Sequence, residues 1–215
     1  MKHSKKKRDS EIIDNFIDDS IPWPQKGDQL FKADVDWWHN ACLNRFHDNW
    51  SLYADGYKRA GDLLVEYIKD ARSDQDFLVY PIVFLYRQYL ELRLKELIRD
   101  GNQLLDVPQE FPKHHKIDKL WGQCRRILEQ VWPEGPTEDL DAVEECIRQF
   151  SEKDPSSIAF RYPTDKDGNP SLPDLRYINL RNLSEVMARI GSLLDGSSDG
   201  ISAYLQNMEV YCDYF

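Results

Sequence analysis

The stretch from Val79 to Asp100, VYPIVFLYRQYLELRLKELIRD, limits the possible folds of this chain more than any other. As a helix it makes about six turns, and apolar residues occupy nearly every side of the wheel. A helix of that kind belongs at the centre of a bundle, covered by neighbours on most of its circumference. At ~100° per residue, Arg87, Glu91 and Lys95 fall on one stripe, four apart, and read as a salt-bridge ladder facing solvent. Across the wheel, Tyr86, Tyr89, Arg93, Glu96 and Asp100 cluster within about 40° of one direction, together with Ile82. That second polar group should point into the interior or a subunit interface.

Helices are expected on both sides of this one. Leu52, Tyr53, Gly56, Tyr57, Ala60, Leu63, Leu64, Tyr67 and Ile68 recur at three- and four-residue spacing and predict a helix over Ser51–Ala71, preceded by another over Asp36–Asp48. Gly101 suits a C-terminal cap for the central helix. Beyond it, Ile117, Leu120, Trp121, Cys124, Ile127, Leu128 and Val131 form an unbroken stripe ended by Pro133, Gly135 and Pro136. Thr137 then suits an N-cap for a helix to about Lys153. SSIAFRYP changes period, and with Asp167-Gly168 and RYINL it predicts a small β-hairpin. A last helix starts near Asn179 or Leu180 and keeps its apolar phase from Leu194 to Ile201, so it should continue through DGSSDG. The expected fold is all-α: an up-and-down bundle of five to six helices, with the hairpin inserted before the long C-terminal helix. Residues 1–33 read as an irregular arm and 34–215 as one helical domain.

A net charge of −10 argues against nucleic-acid binding over the body of the protein. No apolar run approaches the ~18 residues that span a bilayer. The basic start, KHSKKKR, leads into acidic residues rather than an apolar segment, and the expected compartment is cytoplasmic. Cys42, Cys124, Cys146 and Cys212 are far apart and read as buried thiols. His39 and His47, and the acidic turn Asp165–Asn169, read as structural, so no metal site and no cofactor is expected.

The order FLYRQYLELRLKELI, a short loop, HHKIDKLW and a long C-terminal helix resembles the HEPN proteins (higher eukaryotes and prokaryotes nucleotide-binding), and in particular a bacterial branch carrying a Phe-Arg-Tyr-Pro strand, here Phe160 to Pro163. The resemblance covers roughly residues 57–205. It implies a helical bundle that pairs as a homodimer and works in stress response, antiphage defence or toxin–antitoxin pairs. Many members are metal-independent ribonucleases that use an arginine followed four to six residues later by a histidine. This chain has no such pair and no histidine after His115.

Three functions follow as expectations. The first is a non-catalytic module that binds a partner protein or a nucleotide-type ligand through Tyr86, Tyr89, Arg93, Glu96 and Tyr162, with Arg161, His114 and His115 nearby. Arginine offers a planar fork for phosphate, and tyrosine offers a stacking face. The second is an atypical ribonuclease with His114 or His115 as proton carrier and Arg93 or Arg161 stabilising the transition state. The third is a structural homodimer joined through Trp37, Trp38, Trp50 and the C-terminal aromatics Tyr204, Tyr211, Tyr214 and Phe215.

Overall fold

The computed structural model describes residues 22–43, 50–108 and 111–212, with side chains as far as Met208 in the last helix. The basic tail, His47, Asp48 and the side chains of Tyr211, Cys212, Tyr214 and Phe215 lie outside the described residues. The chain divides into two units, one ending at Arg45 and the other starting at Phe46.

In the first unit the described part of the expected helix Asp36–Asp48, residues 36–43, contains one 3-10 turn, Trp37–His39, in place of an α-helix. Local side-chain bonds take the backbone elsewhere. Asn40 Nδ2 donates to Asp34 O at 2.7 Å and Asp34 N donates to Asn40 Oδ1 at 3.0 Å, while His39 Nδ1 lies 2.6 Å from Asp36 Oδ2. Trp37 and Trp38 meet edge to face at 5.2 Å and are both exposed.

The second unit contains five α-helices: α1 (Trp50–Ala71), α2 (Gln75–Leu104), α3 (Ile117–Val131), α4 (Thr137–Lys153) and α5 (Leu180–Cys212). α2 packs against α1, α3 and α5, and α4 packs on α3. Its fully buried residues include Ile82, Tyr86, Tyr89, Leu90 and Leu94, which meet Ala54, Leu120, Trp121, Met187 and Leu194 from its neighbours.

The contacts give the direction of each helix. Along α1 and α2 one partner's number falls as the other's rises, from Asp62 with Tyr86 through Asp55 with Arg93 to Ser51 with Glu96, so the pair is antiparallel. Between α2 and α5 both numbers rise, from Tyr89 with Asp195 to Arg93 with Ser198, so these two are parallel. α3 also runs parallel to α2, since Glu91 meets His115 just before α3 and Gly101 packs on Ile127 within it. The bundle therefore departs from strict up-and-down order. Segment 105–116 makes this possible, because extended chain covers about 3.3 Å per residue against 1.5 Å for helix and can return along α2.

Four further expectations are corrected. Gly101 is not a cap: α2 continues to Leu104, and Gly101 is buried, with a Cβ there overlapping Ile127 Cγ2. Thr137 lies inside α4, and Pro136 holds the cap position with no side-chain hydrogen bond. Cys42 is exposed, whereas Cys124 is buried and Cys146 half-buried.

The β-hairpin also does not form: among the described residues there is no strand, only one isolated antiparallel bridge, Thr164 with Pro170. The tight reversal itself is present, with Asp165 Oδ1 accepting from Asp167 N and Asn169 N at 2.9 Å each. Asp154 accounts for the lost first strand. Its Oδ1 accepts from Ile158 N at 2.7 Å and Ala159 N at 3.1 Å, and this winds residues 154–161 into turns. α5, as expected, is continuous through Gly196 and Gly200. No described helix is long and apolar enough to cross a membrane.

Two glycines in helix interiors should respond in opposite senses. Gly101→Ala places a methyl group into Ile127 and should cost about 1–3 kcal/mol. Gly196→Ala meets nothing within 4 Å and should gain up to ~1 kcal/mol through helix propensity. Urea unfolding of the two variants beside wild type measures both, and a Gly101→Ala protein as stable as wild type would show that α2 and α3 are not this close.

Candidate functional site

α2 carries charged and hydroxyl side chains in two directions, and both are buried. Tyr86 and Tyr89 are fully buried, and Arg93 and Glu96 are 4% and 3% exposed, as the inward cluster requires. The other stripe reverses the expectation. Arg87 is 0% exposed, Glu91 3% and Lys95 6%, so the ladder lies inside the protein. The turns at 154–161 and the backbone just ahead of α3 cover it: Arg87 Nε donates to Asp154 O at 3.2 Å and Nη2 donates to His115 O at 2.9 Å.

The inward cluster joins α1, α2 and α5. Arg93 Nη2 donates to Asp55 Oδ1 at 2.5 Å, and Nη1 donates to Glu96 Oε2 at 2.5 Å and Ser198 Oγ at 3.2 Å. Its Nε lies 2.9 Å from Asp195 Oδ1, though not aligned as a hydrogen bond. The same Asp195 oxygen accepts from the Tyr89 hydroxyl at 2.8 Å. Tyr86 donates to Asp62 Oδ1 at 2.8 Å, and Lys58 Nζ meets the other oxygen of that carboxylate at 3.1 Å. Burial opposes the charge on Arg93, but Glu96, Asp195 and Asp55 outweigh it and raise its pKa. Burial, then the neighbouring carboxylates, push the Tyr86 and Tyr89 phenols well above their ordinary range. One guanidinium thus faces three carboxylates, and its fork has no edge left for a phosphate.

The second cluster centres on Glu91. Oε1 meets Lys95 Nζ at 2.9 Å and His115 Nδ1 at 2.6 Å, and Oε2 accepts from Arg87 Nη1 at 3.4 Å. Burial raises the Glu91 pKa, but hydrogen bonds from Lys95 and His115 dominate and hold it below 4.5. Burial lowers that of Arg87. The His115 ring is 68% exposed at its outer edge. His114 is half-buried, and its Nδ1 is buried with no partner among the described residues.

These placements separate Arg93 from His115. Glu91, which holds His115, and Arg93 project about 200° apart on α2 and share no partner, so imidazole and guanidinium do not converge. Arg161 is different. It is exposed, and its guanidinium carbon lies 5.8 Å from the Phe84 ring centre and 5.4 Å from that of Tyr162. No carboxylate comes within ion-pair distance of it among the described residues. It borders an open groove of about 950 Å³, lined also by Tyr80, Tyr162, Arg176, Tyr177 and the acid Asp76. Tyr80, Tyr162 and Tyr177 are 50%, 55% and 91% exposed. Of the ligand-binding candidates, Tyr162 reaches this groove, while Tyr86, Tyr89, Arg93 and Glu96 form the internal network.

Reading the sequence missed Asp55, Asp62 and Asp195 as partners, and Asp154, Tyr80, Arg176 and Tyr177 altogether. A signal for the first pair was present. Asp55 and Asp62 are seven apart, as are Tyr86 and Arg93, which matches two antiparallel helices in register. Compared with known proteins, the chain matches no family model and no solved structure.

Glu91 gives a pH test with a definite sign. Its folded pKa lies below the unfolded value, so the stabilisation it provides is complete above about pH 4.5 and disappears as pH falls through the folded pKa. Glu91→Gln should therefore be less stable than wild type at neutral pH by about 3–5 kcal/mol, because Arg87 and Lys95 lose a buried partner. The gap should narrow below pH 4.5, as urea midpoints at stepped pH would reveal. A gap independent of pH would mean that Glu91 is not the ionised centre of this cluster.

Proposed function

We propose that this chain is a non-catalytic helical module of the HEPN type that binds a nucleotide-type ligand, and that the ligand sits in the groove beside Arg161 and Tyr162. The observation that carries this reading is Arg161, an exposed guanidinium within cation–π distance of two aromatic rings and with no acid in ion-pair reach among the described residues, at the edge of a groove of about 950 Å³. Nucleotides need a cation for phosphate and a flat face for the base. Arg161 and Arg176 supply the first, and Tyr80, Tyr162 and Tyr177 the second. The volume is in the range of pockets that enclose small molecules.

A ribonuclease is the weaker reading. It needs a histidine and an arginine on one reacting phosphate, and here Arg93 is spent on Asp55, Glu96 and Asp195 while His115 is held by Glu91 on another side of α2. Work in stress response or antiphage defence belongs to the same proposal and rests on the resemblance alone.

Isothermal titration of the full chain with ATP, AMP and a short single-stranded RNA tests the proposal. Binding is expected for at least one of these. Arg161→Ala should weaken it about tenfold or more through loss of a charge-assisted contact, and Tyr162→Ala by about fivefold to a hundredfold through loss of stacking. The RNA should be recovered intact. Absence of binding at millimolar ligand would end the nucleotide reading, and cleavage abolished by His115→Ala would replace it with an enzyme.

A further inference from the structure

α1 carries two heptad seams, and the bundle uses one. Ala54, Tyr57, Gly61, Leu64 and Ile68, spaced three and four apart, face the core, where Ala54 is fully buried and a Cβ on Gly61 would sit 3.0 Å from the Tyr86 ring. One residue earlier in the repeat, Tyr53, Gly56, Ala60, Leu63 and Tyr67 follow the same three-and-four spacing about 100° around the helix. This seam is open. Tyr53, Leu63 and Tyr67 are 59%, 51% and 50% exposed, and a Cβ on Gly56 would meet nothing within 4 Å. Tyr67 keeps one local bond, donating from its hydroxyl to Asp74 Oδ2 at 2.9 Å.

We propose that two copies of the chain associate through this seam, α1 against α1 in antiparallel sense. The sequence is self-complementary in that sense. With the axis between Gly61 and Asp62, Gly56 faces Tyr67 of the partner subunit and Ala60 faces Leu63 of the partner subunit. Each of the four layers then sets a small residue against a large one, which lets two helices approach closely without a void. The flanking charges agree. Arg59 makes no ion pair among the described residues, and the antiparallel register brings it beside Glu66 of the partner subunit, twice by symmetry. Glu66 holds only an exposed surface contact with Lys69 at 3.1 Å. A parallel pair would instead stack Gly56 on Gly56 and Leu63 on Leu63, leaving a gap in one layer and crowding another, and would carry Arg59 away from Glu66 of the partner subunit. This face is distinct from the tryptophans and C-terminal aromatics that sequence alone suggested for pairing, and it is independent of the ligand groove. One helix pair of this length buries on the order of 1,000 Å², the lower limit of specific interfaces, so association should be concentration-dependent.

Sedimentation equilibrium of the full chain from about 10 to about 300 µM reads the result directly. The mass should rise with concentration toward twice the 25.4 kDa of the chain. Gly56→Glu fills open space in the free chain and removes a helix-interior glycine, so it should remain folded with an unchanged or higher Tm yet stay monomeric. Arg59→Glu should weaken association about tenfold, and adding Glu66→Arg should restore it, a rescue that general damage to the fold cannot produce. A wild-type chain that stays monomeric over the whole range overturns the proposal. So does a dimer that persists in both Gly56→Glu and Arg59→Glu.

Discussion

A charge removed from water must be paired, and this structure is organised around that requirement. Arg87, Glu91, Arg93, Lys95 and Glu96 are all at most 6% exposed on one helix, α2. Each would cost several kcal/mol if left alone. α2 supplies part of the pairing itself, through Arg87 with Glu91, Glu91 with Lys95 and Arg93 with Glu96. The rest comes from α1, α5, the turns at residue 154 and the backbone at His115. These contacts set the register of every neighbour of α2. Apolar packing alone would tolerate a slide of one turn, whereas a carboxylate displaced by 5.4 Å from a guanidinium loses its partner.

The two arginine environments show why geometry and not residue type decides function. Arg93 and Arg161 are the same residue type, and the sequence reading put Arg93 first. Three carboxylates around Arg93 make it a structural tie, while aromatic rings beneath Arg161 orient its charge without neutralising it. Glu96 and Tyr162 are local, but Asp55 and Asp195 beside Arg93 and Phe84 beside Arg161 come from distant parts of the chain, so the difference is only partly written in the local sequence.

What the sequence conveyed followed the range of the interactions involved. α3 was legible, because an apolar stripe from Ile117 to Val131 stopped by proline and glycine leaves little choice, and the continuity of α5 followed from its unbroken apolar phase. The burial of Tyr86, Tyr89, Arg93 and Glu96 was also legible, from the wheel. The burial of Arg87, Glu91 and Lys95 was not, since an i, i+4 ladder reads the same inside or outside until its cover is known. The strand failed for the same reason: Asp154 captures two amides four and five residues ahead, and propensity gives no weight to that bond. Gly101 shows the limit at one residue, because a helix-ending glycine and a close-packing glycine look alike until the neighbour is placed.

The parallel course of α2 and α5 has a consequence for the time order of folding. Tyr89 and Asp195 are 106 residues apart, and Arg93 and Ser198 are 105 apart. α1 and α2 are joined by a short turn and close quickly, but the loop entropy of bringing α5 home must be overcome before its contacts contribute. On a chain emerging from the ribosome, Arg93 can reach Asp55 and Glu96 long before Asp195 exists. The third carboxylate therefore arrives last at a guanidinium that two acids already hold, and its own partners then include the Tyr89 hydroxyl. Completion of this bundle is a late event that joins the middle of the chain to its final helix, and a chain ending before residue 195 would expose the polar face of α2 to whatever else binds it.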